Sequence, residues 1–165
     1  MTIFKKNTEV YAAKHKIMYP FAAGEIISLE SIDDPVISSL IVGNGFALVP
    51  SENNVCSPVS GVVKSIANNN RAITVKTDDG LIAVIHIGTK FSNVADLSST
   101  VLKVAVNDRI EAGQIICVTD IDKAAADGRD LTLLMIISNY DCLKSFSVNY
   151  GRVDSVNVPA AVYDL

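Results

Sequence analysis

Two histidines and three cysteines are the side chains of this sequence with the most nucleophilic or metal-binding potential. His86 stands in an apolar run, Leu81-Ile82-Ala83-Val84-Ile85-His86-Ile87, closed by Gly88. An imidazole in such a collar is held neutral, because burial disfavours the charged form. Neutral imidazole is a nucleophile and can accept a phosphoryl group on nitrogen. The residues alone equally suit a half-buried strand histidine bonded to a neighbouring carbonyl, the commoner role for a lone histidine. His15 lies between Lys14 and Lys16 and reads as a solvated surface residue. Two isolated histidines without a cysteine pair do not make a zinc site. Cys56, Cys117 and Cys142 are odd in number and widely spaced, so they form neither a disulfide framework nor a CxxC site. Cys56 and Cys117 sit among strand-like residues and read as small core side chains. No serine or cysteine occupies a nucleophile elbow, and there is no phosphate-cradling glycine loop.

Phosphoryl transfer asks mainly for positioning and charge stabilisation. Arg71 is the candidate for the second need, since a guanidinium matches phosphoryl oxygens. The segment 71–88 reads as two strands around Thr77-Asp78-Asp79-Gly80, hence a hairpin. If Lys76 pairs with Leu81, Arg71 lies directly across from His86. If Asp78 pairs with Leu81, the two are diagonal neighbours on the same face. A three-residue loop would shift the register by one and separate them.

The remaining chain supplies the frame. Strand-like runs rich in Val, Ile, Leu and Thr fall at 25–29, 46–49, 61–66, 72–76, 81–87, 114–118, 131–138 and 151–158. Turn signals separate them, among them Gly43-Asn44-Gly45, Asp78-Asp79-Gly80 and Glu111-Ala112-Gly113. Helix character is confined to 120–130 and to a short turn near 36–40, after Pro35. The sum is one all-β domain, sandwich or barrel-like, with one or two short helices. Pro20 to Gly24 and Pro58 to Gly61 echo one another ahead of two strands. No linker or low-complexity segment divides the chain.

The 165 residues suit a single domain, and 49% apolar with 19% charged residues is a globular composition. A formal net charge of −4 argues against nucleic acid as a partner. No apolar run approaches the ~18 residues of a membrane span. The first residues carry charges where a signal peptide needs its apolar stretch, so a cytoplasmic location is expected.

An ordered series of motifs then resembles a known family. Gly24-Glu25-Ile26, Asp34-Pro35-Val36-Ile37, Gly43-Asn44-Gly45-Phe46-Ala47-Leu48-Val49-Pro50 and Ser57-Pro58-Val59-Ser60-Gly61 are similar to the first half of the glucose-type IIA components of the sugar phosphotransferase system. Asp79-Gly80 with Ile85-His86-Ile87-Gly88 is similar to their active strand. Val106 to Gln114, Asp120-Ile121 and Ile136-Ile137-Ser138-Asn139 follow in order. The resemblance spans roughly 18–160. It implies a phosphocarrier domain over 18–165, after an N-terminal segment 1–17. The implied fold is a single-domain antiparallel β-sandwich, a barrel-sandwich hybrid with a duplicated hybrid motif.

The implied chemistry is a phosphotransferase with a phosphohistidine intermediate and no cofactor. His86 would accept phosphate from the phosphohistidine carrier protein and pass it to a cysteine on the IIB domain of a sugar permease. The protein would then be cytoplasmic, with peripheral association at the membrane permease. Arg71 stands where the family has a second, supporting histidine. Asn69, Asp34, Asp141 and Gly88 are the implied supporting residues, and Val36, Ile37 and Lys90 the implied partner surface. Lys90 replaces an acidic residue of the family pattern. Arg71 can donate hydrogen bonds but cannot exchange a proton near neutral pH. It is therefore expected to hold the phosphoryl group and to alter onward transfer.

Three other readings compete. A transfer-impaired regulatory module could dock on unrelated target proteins. A lipoyl-type carrier would use Lys123, but Lys123-Ala124-Ala125-Ala126 reads as helix, not as the return strand of a hairpin. A hydrolase on the same sandwich lacks a ligand set for a metal.

Overall fold

The computed structural model describes residues 16–67, 71–89 and 100–165. His15, Asn69 and Lys90 lie outside the described residues. In chain order the strands are β1 Lys16–Met18, β2 Gly24–Ile27, β3 Asn44–Pro50, β4 Asn54–Cys56, β5 Gly61–Ala67, β6 Ala72–Thr77 and β7 Ile82–Ile87. They continue with β8 Thr100–Leu102, β9 Arg109–Ile110, β10 Ile115–Thr119, β11 Leu133–Ile137, β12 Ser145–Val148, β13 Gly151–Val153 and β14 Ala161–Asp164. Two short helices, α1 Pro35–Ser38 and α2 Ile121–Ala126, meet the helix expectation. Each begins on an aspartate cap: Asp34 accepts from the Val36 and Ile37 amides, and Asp120 from the Lys123 amide. Lys123 thus sits on a helix, as its alanine neighbours imply.

The architecture is the expected antiparallel β-sandwich. One eight-stranded sheet runs β13-β2-β3-β11-β7-β6-β5-β9, and two three-stranded sheets run β1-β14-β12 and β4-β10-β8. All pairings are antiparallel. The echoed segments after β1 and β4 lie side by side, with Tyr19 N donating to Pro58 O and Cys56 N to Phe21 O.

Alternation divides the large sheet's side chains between two clusters. Ile73, Val75, Ala83, Ile85, Ile87, Leu133, Met135 and Ile137 enter the main core, with Phe21 and Phe46. Ala47, Leu134 and Ile136 join a smaller cluster on the other face, under Leu29, Ile32 and Ile37. β11 is buried at every position, the pattern of a strand covered on both faces.

Several boundaries differ from expectation. The run 25–29 ends as a strand at Ile27 and turns into a 3-10 segment at Leu29–Ser31, where Ser28 caps the Glu30 amide. The run 151–158 is a strand only over Gly151–Val153, because Asp154 and Ser155 begin a turn.

Candidate functional site

β7 lies between β6 and β11, and its register places His86 across from Ala72 on one side and Leu134 on the other. Leu134 pairs in turn with Ala47. His86 therefore stands in a row of aliphatic side chains on the smaller-cluster face, and it is buried. The collar read in the sequence becomes a lateral one, made by the hairpin partner β6 and by β11 and β3, which are distant in the chain.

The hairpin turn corrects the expected geometry. Thr77 N donates to Leu81 O at 2.9 Å, so Asp78, Asp79 and Gly80 form a three-residue loop. Gly80, at φ 96°, closes it in the left-handed region, the usual ending of a three-residue hairpin. The register is consequently the one that places Ala72 opposite His86 and Arg71 opposite Ile87, with Ile87 N donating to Arg71 O at 2.8 Å. Neither of the two face-sharing registers is present. Arg71 lies one residue before β6, where alternation no longer binds it. Its side chain folds back instead, and its Nε donates to Ile87 O at 3.2 Å. The guanidinium then flanks Gly88: a Cβ on Gly88 would lie 2.7 Å from Arg71 Nη2 and 2.9 Å from Asp130 O.

Gly88 anchors the imidazole. Its carbonyl lies 2.6 Å from His86 Nδ1. A carbonyl only accepts, so Nδ1 carries the proton and the lone pair of the neutral ring is on Nε2. The backbone turn that delivers this carbonyl has φ 87°, which favours glycine. The turn is braced from the residue just before β11, where Gly88 N donates to Thr132 O at 3.0 Å. Asp130 ties the brace together by accepting from the Thr132 amide, the Thr132 hydroxyl and the Thr89 hydroxyl. Thr89, Asp130 and Thr132 were not legible as site residues. The short Asp130-x-Thr132 pattern is a local side-chain-to-backbone motif and was the one available signal.

Electrostatics agrees with the geometry. Burial lowers the His86 pKa, the Gly88 hydrogen bond raises it, and the Arg71 charge lowers it again, leaving it at about 4. The ring is neutral at pH 7. Arg71 is itself lowered by burial and by the charge of Arg129. Burial pushes the Cys117 thiol up to about 12, and Cys56 is raised by burial and by Glu52, so both are inert core residues. Among the described residues, no group of His, Cys, Asp and Glu could hold a metal ion.

The other candidates divide. Asp34 Oδ1 is occupied by the Val36 and Ile37 amides, at 2.9 and 3.4 Å. Val36 is 50% exposed, but Ile37 is fully buried in the smaller cluster. Ile37 is thus a packing residue beneath α1, not part of a partner surface, because helical phase turns it inward. Asp141 lies on the exposed 3-10 segment Tyr140–Cys142, beyond the Ile137 end of β11. Ile137 pairs with Ala83, three rows or about 10 Å along the sheet from His86. Asn139 fixes that segment to the hairpin by accepting from Ile82 N and donating to Gly80 O.

An antiparallel β-sandwich with a buried, carbonyl-anchored neutral histidine in an interior strand defines the class of protein. Residues 15–143 match the family model for the phosphoenolpyruvate-dependent sugar phosphotransferase system, EIIA 1, and the chain belongs to that family. The PTS system glucose-specific EIICBA component of Streptococcus pneumoniae serotype 4 is 33% identical over 98% of this chain, which spans 22% of that relative's length. The PTS system glucose-specific EIIA component of Buchnera aphidicola subsp. Acyrthosiphon pisum is 26% identical over 90% of this chain and 86% of its own. The glucose permease IIA from Mycoplasma capricolum shares the fold, with a TM-score of 0.77 at 24% identity over 90% of this chain and 96% of that one. No helix among the described residues is long and apolar enough to cross a membrane.

Proposed function

We propose that the chain is a phosphocarrier and that His86 Nε2 is the accepting atom. The observation that supports this is the Nδ1–Gly88 hydrogen bond, which directs the lone pair of a neutral ring to Nε2. In the forward step, Nε2 attacks the phosphorus of the phosphohistidine on the carrier protein. The new P–N bond forms as the donor's P–N bond breaks, and the donor imidazole leaves with its electron pair. In the onward step, the thiolate of a IIB cysteine attacks the same phosphorus; the P–S bond forms and His86 regains its lone pair. No oxidant, metal or cofactor enters either step. Positioning and charge stabilisation suffice for such transfers, and the Arg71 guanidinium beside Gly88 supplies positive charge. Val36 and Lys90 belong to the docking face in this reading, with Asp34 and Asp141 on its rim and Asn69 supporting. The carrier domain is 18–165, acting in the cytoplasm and at the membrane permease.

His86 is buried, so transfer requires the site to open to the donor, and labelling tests this directly. The protein is incubated with phosphoenolpyruvate, the general phosphotransfer enzyme and the carrier protein, and acid-labile phosphate is measured. The expected result is one phosphate per chain, lost in His86→Ala. An unlabelled wild type would sink the carrier reading, and label surviving His86→Ala would sink the site assignment.

A regulatory, transfer-impaired module is the second reading. Arg71 favours it, since a guanidinium cannot relay a proton near neutral pH. Here the label would load but chase only slowly onto a IIB domain, and Arg71→His would speed the chase.

A further inference from the structure

The carbonyl that fixes the His86 proton lies in the peptide unit joining Gly88 to Thr89, and such a unit turns as one rigid plane. Its direction is set by what holds the two ends. Gly88 is held through its amide, which donates to Thr132 O at 3.0 Å. Thr89 is buried and is held through its hydroxyl, which donates to Asp130 Oδ2 at 2.7 Å. The other carboxylate oxygen, Asp130 Oδ1, accepts from the Thr132 amide at 2.8 Å and from the Thr132 hydroxyl at 2.7 Å. One carboxylate thus grips both ends of the unit, Thr89 directly and Gly88 by way of Thr132.

The end of α2 delivers that carboxylate. Gly128 N donates to Ala125 O at 3.1 Å and Arg129 N to Ala124 O at 2.8 Å, the crossed pair of bonds that ends a helix sharply. Asp130 is the next residue, just ahead of β11. Without the grip, the Gly88–Thr89 unit is free to turn and its carbonyl to leave Nδ1. A neutral imidazole carries one proton, and the hydrogen bond at one nitrogen decides which atom holds it. A proton moved to Nε2 takes up the lone pair that an accepting atom needs.

We infer that Asp130 is a positioning residue for His86: by gripping Thr89 and Thr132 it aims the Gly88 carbonyl at Nδ1 and keeps the ring's lone pair on Nε2. Its consequence for phosphoryl transfer rests on the phosphocarrier reading; its consequence for the tautomer does not.

Two readouts on the full chain test the two halves. Nitrogen-15 spectra of the His86 ring at pH 7 report which nitrogen is protonated, and phosphoryl labelling from the carrier protein reports the rate of transfer. The wild type should carry the proton on Nδ1. In Asp130→Ala the Nε2-protonated form should appear, and labelling should slow about tenfold, as fits the loss of one orienting hydrogen bond. Thr89→Val cuts only the Oδ2 arm and should move the spectrum the same way. Asp130→Asn keeps an acceptor for Thr132 and offers an amide N–H that the Thr89 hydroxyl accepts, so it should restore both spectrum and rate. Should Asp130→Ala fail to fold in a thermal melt, Thr89→Val carries the test. A wild-type spectrum in either folded variant, or a proton on Nε2 in the wild type, overturns the proposal. An equal change in Asp130→Asn and Asp130→Ala also overturns it, since charge and not the grip would then be acting. Labelling at the wild-type rate in a variant whose proton has moved overturns the role in transfer. An unlabelled wild type whose proton still moves in Asp130→Ala removes the carrier reading and leaves Asp130 positioning the ring.

Discussion

At the scale of single residues, the state of His86 is set by burial and by one carbonyl. Its pKa is about 4 in the fold, against about 6.5 for a free side chain. As pH falls, the unfolded chain takes up the proton first. The stability associated with this group is therefore complete above about pH 6.5 and is lost progressively toward pH 4. At pH 5 the loss is about 2 kcal/mol relative to pH 7.5. Urea melts at the two pH values should show it, and His86→Gln should remove most of that difference. The ring's own titration is a separate check. The His86 Cε1–H resonance should stay put between pH 8 and 5, and in Arg71→Gln its midpoint should move upward, since a neighbouring positive charge has been removed. A midpoint near 6.5 in the wild type would contradict the buried, carbonyl-bound ring. The apolar neighbours of His86 were legible in the sequence because alternation along one strand is local. Arg71 was read as a partner of His86 through a hairpin register that the three-residue turn does not adopt. The path that brings it to Gly88 depends on a side chain leaving the strand pattern.

At the scale of elements, a single residue in a turn decides the site's geometry. The expectation of Arg71 opposite His86 relied on a two- or four-residue connection, and Asp78-Asp79-Gly80 makes three. Turn length fixes register, and a slip of one exchanges the faces. The missed strands β1, β4, β8, β9, β12 and β14 are two to four residues long, too short for any period to show. Two consequences belong here. Gly88→Ala places a Cβ against Arg71 Nη2 and Asp130 O in a left-handed backbone. It should cost about 1–3 kcal/mol and release the carbonyl from Nδ1, read as a raised melting difference and a shifted His86 resonance. Asp34→Ala removes the cap of α1 and should cost about 1 kcal/mol. Asp34→Asn should recover most of it, because an amide oxygen still caps. Equal loss in both variants would mean that Asp34 acts through its charge.

At the scale of the whole molecule, the eight-stranded sheet is the frame, and β7 and β11 are its interior. Met135 and Ile85 face each other across that pair in the main core. Met135→Ala should cost about 2–5 kcal/mol by leaving a cavity in a close-packed layer, with labelling on His86 reduced only as far as the folded fraction falls. The small sheets close the sandwich, and the β1-β14-β12 sheet is tied to the hairpin at the end away from the imidazole: Tyr163 Oη donates to Asp79 Oδ2 at 2.6 Å, and Lys16 pairs with the same oxygen at 3.1 Å. β7 thus has a partner strand on both sides and a tethered turn behind it. Its amides should exchange with deuterium only when the entire fold opens, at a free energy matching that of global unfolding. The consequence is kinetic. A nucleophile mounted on a strand paired on both sides cannot step forward to meet a donor, whatever uncovers the ring. On the phosphocarrier reading, the site must open around a ring that the sheet holds still, so the donor must arrive already oriented.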